Sequence, residues 1–449
     1  MILFAGDGTI RSAASHKCLK RSCCCDLTHR PSRAKAEIRL RPCLSQVSLI
    51  RPSALRIFFE VPCRAGRQMT PRKFQKKQKA TARRIWGPVS RPRSAIFAGL
   101  VLFSGLFIGA WIPAAAAGTP IGAPSASSAA EDTADSPVGF EAVRVPNGGE
   151  PPLVAGIWYP TSTEPRDVPL GSFTQHVAPS GPLKGHALPL IVISHGGGGS
   201  YAGHYDTAIA LAKAGFIVAA VSHAGDTFDD QSKVLMPWRR PAQLSRLIDF
   251  MLKDWQAHAD IDPQRIGAFG FSNGGFTVLV EAGGIPDLDK IDPYCAENPR
   301  HDLCTALAKA GVHSVAKTVQ TPPDAWKPDR RIRAIAAAAP AFGFTFDRTG
   351  LASVQIPVLL WRAADDRHQP DSWYEEHLRS ALPRPPEYHV EPLAGHYAFL
   401  PPCSAQMRGA APQICIDEPG FDRAAFHQRL NAALASFFSA SLQSQSASH

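Results

Sequence analysis

The sequence predicts an α/β protein with a mostly parallel central sheet that is flanked by helices. Short runs of apolar and β-branched residues alternate with amphipathic helical segments from about residue 138 to about 440. Some of these runs, such as LPLIVIS at 188–194, are apolar at almost every position. A strand of this kind is buried on both faces, which is typical of parallel sheets. We therefore expect one domain over residues 138–440.

The predicted elements follow one another with one long interruption. An antiparallel pair of strands opens the domain, and strands and helices then alternate up to a closing helix. Strands are predicted at residues 140–145, 153–159, 188–194, 216–222, 265–270, 332–338, 358–361 and 388–391, and helices near 203–214, 241–257, after Gly275, 371–381 and 421–438.

The interruption lies at residues 283–330. This segment is long and rich in Pro, Asp and Lys, and only residues 303–311 have a helical pattern. Insertions of this length in compact domains often form lids or binding loops. We expect a small cap insertion over the site.

The apolar segment at residues 95–112 indicates export. It carries no charge, follows Arg91 and Arg93, and precedes a run of four alanines that ends at Ala117. This is the pattern of a secretory signal. We expect cleavage after Ala117. A retained membrane anchor is the alternative, because about 18 apolar residues can span a bilayer.

The rest of the first 137 residues is predicted to stay outside the folded domain. Residues 69–117 form the signal region, and the small polar residues at 118–137 are typical of a flexible linker. Residues 1–68 precede Met69, a more natural start for a signal peptide. We expect them to be a non-native or disordered extension, with a basic or metal-binding arm as the alternative.

The positive net charge of +10 is confined to the leader. Residues 1–94 hold 22 of the 48 Lys and Arg residues but only four of the 38 acidic ones, so the remaining chain has a net charge of −8. A mildly acidic domain lacks the basic surface that nucleic-acid binding requires. We expect no nucleic-acid partner.

Four of the ten cysteines lie within the predicted domain, and these are Cys295, Cys304, Cys403 and Cys415. An even number of cysteines in an exported chain favours disulfides. Three connectivities are possible, and the short separations favour the pairs Cys295–Cys304 and Cys403–Cys415.

The most specific motif is Gly-Phe-Ser-Asn-Gly-Gly at residues 270–275. It follows a predicted strand and opens a predicted helix. A tight turn of this kind holds the serine hydroxyl above the sheet, and the helix N-terminus favours developing negative charge there. We predict that Ser272 is a nucleophile.

A serine hydroxyl needs a base, and the base needs an acid that orients it. His396 lies in a Leu-Ala-Gly-His turn just after a predicted strand, where it can serve as the base. The acid is expected after the strand at 358–361, where Asp365 and Asp366 are adjacent. We prefer Asp366, and Asp365 stays open as the alternative.

Acyl transfer also requires donors for the tetrahedral oxyanion. One is predicted to be the backbone N–H of Asn273, which follows the nucleophile. The other is expected from the glycine-rich loop at 195–199, where we favour the N–H of Gly197.

Together these motifs resemble the α/β-hydrolases described as predicted dienelactone hydrolases, a group similar to the platelet-activating factor acetylhydrolases. The resemblance runs from about residue 138 to 437 and includes LPLIVISHGGGG, RIGAFGFSNGG, IPVLLWRAADD and LAGHYAFLPPC. It implies an α/β-hydrolase fold and the same triad of Ser272, Asp366 and His396. Where dienelactone hydrolases have a cysteine nucleophile, this sequence has Ser272.

These expectations combine into an exported, monomeric serine hydrolase that cleaves carboxylic esters in the periplasm or outside the cell. Its substrate would be a small-molecule or lipid ester, with no cofactor and no metal. Membrane contact is expected only through the signal segment, if that segment is uncleaved. A phospholipid acetylhydrolase and a polyester hydrolase are alternatives, and so, from another class, is a non-catalytic binding protein with this fold.

Overall fold

The computed structural model describes residues 136–443. The predicted extension at 1–68, the signal region at 69–117 and nearly all of the linker at 118–137 lie outside the described residues. Over residues 136–443, no helix has both the length and the apolarity needed to cross a bilayer.

A twisted sheet of ten strands forms the centre of the described residues, in the order β10-β9-β8-β7-β5-β6-β2-β1-β4-β3. Neighbouring strands from β10 to β6 are all parallel, and β2 then pairs antiparallel with both β6 and β1. The predicted sheet class and its antiparallel opening are therefore confirmed. The strands are β1 Val138–Asn147, β2 Glu150–Pro160, β3 Arg166–Leu170, β4 Phe173–Pro179, β5 Leu188–Ser194, β6 Ile217–Val221, β7 Ile261–Phe271, β8 Ile332–Ala338, β9 Val358–Ala363 and β10 Glu387–Glu391.

Helices cover both faces of this sheet. The four longest are α1, α2, α3 and α10, and shorter helices lie in the connections. The α-helices are α1 Tyr205–Lys213, α2 Arg239–Lys253, α3 Asn273–Glu281, α4 Ile291–Glu297, α5 Asp302–Lys309, α6 Val315–Thr318, α7 Arg348–Leu351, α8 Glu375–Ala381, α9 Ala405–Ala410 and α10 Arg423–Ser441.

The central strands contribute to two hydrophobic cores, one on each face of the sheet. In β5, Leu190 and Val192 pack into one core, and Ile191 and Ile193 pack into the other. This alternation follows from the two-residue period of a strand. Because both faces are covered, the strand has apolar side chains at nearly every position, which is the pattern that its sequence shows.

Strands β3 and β4 were not predicted from the sequence. They form an antiparallel hairpin at one edge of the sheet, and most side chains of β3 are exposed. Strand β3 also contains Pro169, which only an edge strand tolerates easily because proline has no N–H to donate. A short, polar, proline-containing segment lacks the apolar pattern that identified the other strands.

The segment at 283–330 is more helical than predicted, because it contains α4, α5 and α6 rather than one helical stretch. Tyr294 of α4 stacks on Phe344 with ring centroids 3.8 Å apart, and Leu303 of α5 is buried in the same core. A disulfide between Cys295 and Cys304 joins α4 to α5. This pairing and the second one, Cys403–Cys415, are both confirmed.

Candidate active site

Ser272 lies in a sharp turn between β7 and α3. Its backbone angles are φ 54° and ψ −117°, a conformation that residues other than glycine rarely adopt. Its N–H donates to the carbonyl of Ala338 at 2.9 Å, and its carbonyl accepts from the N–H of Ala341 at 3.0 Å. The end of β8 therefore holds this strained residue in place, with the serine hydroxyl above the carboxyl end of the sheet.

Two glycines make this turn possible. A Cβ at Gly270 would lie 2.0 Å from the carbonyl oxygen of Gly274, and a Cβ at Gly274 would lie 1.8 Å from that of Ser194. Backbone atoms cannot move aside cheaply, so any side chain at either position is excluded. The G-x-S-x-G spacing is thus required by the packing of α3 against β5 and β7.

Histidine and aspartate side chains from two other strand ends meet the serine. Nε2 of His396 lies 3.1 Å from the Ser272 hydroxyl oxygen, and its Nδ1 lies 2.7 Å from Oδ2 of Asp366. The side chains of His396 and Asp366 are each only 3% exposed. The imidazole is therefore held between a hydroxyl and a carboxylate, and it can accept the hydroxyl proton while the carboxylate orients it.

The two adjacent aspartates have different surroundings. Asp366 contacts His396 through one oxygen, and its other oxygen accepts the N–H groups of His368 at 2.9 Å and Gln369 at 2.8 Å. The side chain of Asp365 is exposed, and its backbone N–H donates to Ala394. Asp366 is thus the carboxylate that the structure brings to His396.

The glycine-rich loop after β5 lies beside Ser272. A Cβ at Gly196 would lie 3.5 Å from the Cβ of Ser272, and one at Gly197 would lie 2.8 Å from Nδ2 of Asn273. Within residues 136–443, the N–H of Gly197 has no hydrogen-bond acceptor. The loop and the first residue of α3 are therefore adjacent, and the N–H of Gly196 is a neighbouring alternative to that of Gly197.

The order in which these groups follow one another along the chain identifies the fold. The glycine loop follows β5, Ser272 follows β7, Asp366 follows β9 and His396 follows β10. A serine in a sharp strand-to-helix turn on a parallel sheet, followed by an aspartate and then a histidine at later strand ends, is the arrangement that defines one large fold class. The chain has the α/β-hydrolase fold.

Comparisons with known proteins agree with this assignment over part of the chain. Residues 166–233 match the family model of platelet-activating factor acetylhydrolase, isoform II, so the predicted resemblance to this group is confirmed. The matched residues include the glycine loop and end before Ser272. No curated protein matches this chain.

Two solved structures are similar to the chain. A ferulic acid esterase from Streptomyces cinnamoneus has 19% identity and a TM-score of 0.48, covering 69% of this chain and 91% of that chain. A dienelactone hydrolase from Anabaena variabilis ATCC 29413 has 16% identity and a TM-score of 0.40, covering 68% of this chain and 98% of that chain.

A cavity of about 510 Å³ opens beside Ser272 and His396. Its walls are mainly apolar, and none of the described side chains that line it is Asp, Glu, Lys or Arg. One wall comes from β3 and the β3–β4 turn, and another comes from the segment that the Cys403–Cys415 disulfide closes. The apolar and aromatic side chains of the walls include Leu170, Phe173, Phe228, Phe271, Tyr397, Leu400, Met407 and Ile414.

Sequence reasoning missed several polar residues around this site. His195 begins the glycine loop, and its Nδ1 lies 2.6 Å from the Gly196 carbonyl while its Nε2 accepts from the N–H of His223. Burial, together with nearby Arg240, lowers the pKa of His195 to about 3, so its imidazole is neutral. It therefore shapes the loop as an uncharged group.

Gln369 and His368 were also missed, although they belong to the acid loop. Nε2 of Gln369 lies 3.5 Å from the Ser272 hydroxyl oxygen, at the limit of a hydrogen bond. The side chain of His368 pairs with Asp302 of α5, which joins the segment at 283–330 to the acid loop. His368 and Asp302 are far apart in the chain, so no local sequence signal indicates their contact.

Proposed function

We propose that this α/β-hydrolase is an exported serine esterase that cleaves carboxylic esters through an acyl-enzyme. The observation that carries the proposal is the position of the His396 imidazole, 3.1 Å from the Ser272 hydroxyl and 2.7 Å from the Asp366 carboxylate. Distances of this size allow direct proton transfer between serine and histidine. The strained backbone of Ser272 also supports its role as the nucleophile.

In the proposed mechanism, the Ser272 oxygen attacks the ester carbonyl carbon while Nε2 of His396 takes the hydroxyl proton. The N–H groups of Gly197 and Asn273 then donate to the oxyanion of the tetrahedral intermediate. As the intermediate collapses, the carbon–oxygen bond to the alcohol breaks, and His396 gives its proton to the leaving alcohol.

Water completes the cycle. It attacks the acyl carbon while His396 takes one of its protons, and the second tetrahedral intermediate releases the carboxylic acid as the proton returns to the Ser272 oxygen. Asp366 keeps its negative charge throughout, because its role is to orient the imidazole and to stabilise the imidazolium.

The cavity favours a neutral, apolar ester as the substrate. Burying an acyl or aryl group against apolar walls stabilises the complex by about 0.8 kcal/mol for each methylene. The second candidate is a phospholipid acetylhydrolase, which the family match at 166–233 supports. A series of p-nitrophenyl esters from acetate to octanoate separates the two candidates, because only the first predicts that kcat/KM rises with acyl length.

Export is supported by the two disulfides, since such bonds persist mainly in oxidising compartments. The predicted signal region at 69–117 is the second reason to place the enzyme in the periplasm or outside the cell. N-terminal sequencing of the protein recovered from the native host tests this, with Gly118 as the expected first residue.

Replacing Ser272 by alanine tests the enzyme assignment. We expect kcat for p-nitrophenyl butyrate to fall by about 10⁴-fold or more, and labelling by a fluorophosphonate probe to be lost, because the nucleophile is gone. The thermal midpoint should stay close to that of the wild type.

Ser200→Ala is the matched control, because Ser200 lines the same cavity without taking part in the proposed chemistry. It should keep the wild-type rate. Equal turnover by the wild type and Ser272→Ala would refute the proposal, and an unlabelled wild type with no turnover would favour the non-catalytic binding protein.

A further inference from the structure

A buried ion pair lies directly behind the glycine loop. Arg240 near the start of α2 and Asp226 in the connection after β6 are 3% and 5% exposed, and their closest charged atoms are 2.6 Å apart. Burial, the largest single influence, raises the pKa of Asp226, but the Arg240 charge, the nearby His195 and the hydrogen bonds from the Gly198 N–H and the Arg240 guanidinium together outweigh it, so the pKa lies below its ordinary value. Both groups are thus charged at neutral pH, in a place where charges are costly.

The pair binds the glycine loop at two points. The Arg240 guanidinium donates to the carbonyl of His195, and Oδ1 of Asp226 accepts from the N–H of Gly198 at 2.9 Å. A trans peptide is planar, with its C=O and N–H pointing in opposite directions. These two contacts therefore fix the planes of the peptides at 195–196 and 197–198.

The peptide between them is fixed from within the loop. The Gly196 carbonyl accepts from the Gly199 N–H at 3.1 Å and lies 2.6 Å from Nδ1 of His195. Its partner in the same planar peptide is the N–H of Gly197, which must point the opposite way. With all three peptide planes set, the direction of the Gly197 N–H is determined.

The same ion pair also contacts the helix that supplies the other donor. Oδ2 of Asp226 lies 3.4 Å from Nδ2 of Asn273, and Nε of Arg240 donates to the Thr277 hydroxyl at 3.2 Å. That hydroxyl in turn donates to the Asn273 carbonyl at 2.7 Å. One buried pair therefore contacts both chain segments from which the oxyanion donors are expected.

We propose that Arg240 and Asp226 are positioning residues that set the glycine loop and the start of α3 at the spacing needed to bind the oxyanion. The proposal rests on the proposed esterase function. Neither side chain is among the residues that line the cavity beside Ser272 and His396, so neither is expected to touch the substrate. Their effect should appear in the transition state, where the oxyanion exists, and little in substrate binding.

Two variants test this proposal. Asp226→Leu combined with Arg240→Met removes both charges and leaves an apolar pair, an exchange that buried ion pairs often tolerate. Asp226→Asn keeps an acceptor for the Gly198 N–H and removes the charge, and it provides the measurement if the first variant does not fold. Asp329→Asn is the matched control, because Asp329 is a buried, arginine-paired aspartate at the amino end of β8, away from the site.

We expect the double variant to fold and to lose about 10- to 100-fold in kcat for p-nitrophenyl butyrate, with KM nearly unchanged. Butaneboronic acid supplies a second readout, because Ser272 adds to boron to give a tetrahedral adduct, its proton passing to His396. Its inhibition constant should weaken by the same factor as kcat/KM. Asp226→Asn should show a smaller loss in the same direction, and Asp329→Asn should lower the thermal midpoint without changing kcat.

A folded double variant with the wild-type kcat, or with unchanged boronic acid affinity, would overturn the proposal. So would a loss of kcat in Asp329→Asn equal to that in Asp226→Asn, since the effect would then come from stability alone. If instead the wild type and Ser272→Ala are equally inactive, the esterase function has failed, and that result is distinguishable from the outcomes above.

Discussion

At the scale of single residues, the acid is the one position of the site that the sequence left between two candidates. Asp365 and Asp366 are adjacent and chemically identical, so only the direction of each side chain separates them. That direction depends on the loop after β9, where the N–H groups of His368 and Gln369 bind one oxygen of Asp366 and leave the other for His396.

Exchanging each aspartate for asparagine tests this distinction. Asp366→Asn should lower kcat by about 10³- to 10⁴-fold, because an amide next to Nδ1 favours the wrong imidazole tautomer and cannot stabilise the imidazolium. Asp365→Asn is its control and should keep the wild-type kcat. The reverse ranking in initial-rate measurements would assign the role to Asp365.

Other residue-scale features could not be predicted from the sequence. Ser272 and His396 have local motifs, a glycine-flanked turn and an Ala-Gly-His turn after a strand, and both were found. Arg240 and Asp226 have no such motif, because their importance comes from the meeting of three chain segments behind the glycine loop. A buried arginine cannot be told from an exposed one when only its neighbours in sequence are known.

At the scale of elements, prediction succeeded where burial imposes a pattern. Strands β5 to β9 are covered on both faces, and their apolar runs gave their positions to within a few residues. The sequence did not predict the β3–β4 hairpin or the helices α4 and α6, for the opposite reason. They are short and partly exposed, so the sequence is not constrained to a strict apolar period there.

The elbow between β7 and α3 should be intolerant of any side chain at Gly274. Gly274→Ala would place its Cβ against the carbonyl of Ser194, and we expect a loss of about 3 kcal/mol in the free energy of unfolding. Gly409→Ala is the matched control, because Gly409 lies in α9 with no atom near its Cβ position. It should change stability by about 1 kcal/mol or less. Urea denaturation measures both, and equal effects would contradict the steric argument.

The segment closed by Cys403 and Cys415 forms one wall of the cavity, and Met407 and Ile414 lie within it. Replacing both cysteines by alanine should lower the free energy of unfolding by about 2–4 kcal/mol, because the unfolded chain gains entropy. Without the disulfide this wall should become more mobile, which should reduce kcat/KM for octanoate esters more than for acetate esters.

The Cys295–Cys304 pair provides the comparison, since neither cysteine lines this cavity. Its double alanine variant should be destabilised without a change in the ratio of octanoate to acetate rates. A similar change of that ratio in both variants would show that the wall has no specific role.

At the scale of the whole domain, one buried carboxyl is expected to make stability depend on pH. Glu375 at the start of α8 is 1% exposed, and within the described residues neither of its carboxyl oxygens has a hydrogen-bond partner. Burial, and to a lesser extent the charge of Asp366, raises the pKa of Glu375 well above its ordinary value. The folded protein therefore holds this proton at pH values where the unfolded chain has lost it.

It follows that stability falls as the pH rises from the unfolded pKa of Glu375 towards its folded pKa. Glu375→Gln removes this penalty, which is about 1.4 kcal/mol for each unit by which the pKa is shifted. The variant should therefore be more stable than the wild type at about pH 8 and similarly stable at about pH 4. Glu376→Gln, at the neighbouring and less buried position, should show no gain in stability at about pH 8. Denaturation curves at several pH values give the comparison, and parallel profiles for Glu375→Gln and the wild type would disprove it.

The absence of charged side chains from the described lining of the cavity has a consequence for turnover. The proposed hydrolysis would convert an uncharged ester into a carboxylic acid, which is ionised near neutral pH and finds no Lys or Arg side chain in the described lining as a counter-ion. Apart from the proposed oxyanion donors, the walls offer such an anion nothing that replaces its hydration, so we expect it to leave for water readily. The same apolar walls should therefore favour a neutral ester over its ionised acid, and we expect the accumulating acid to be a poor inhibitor.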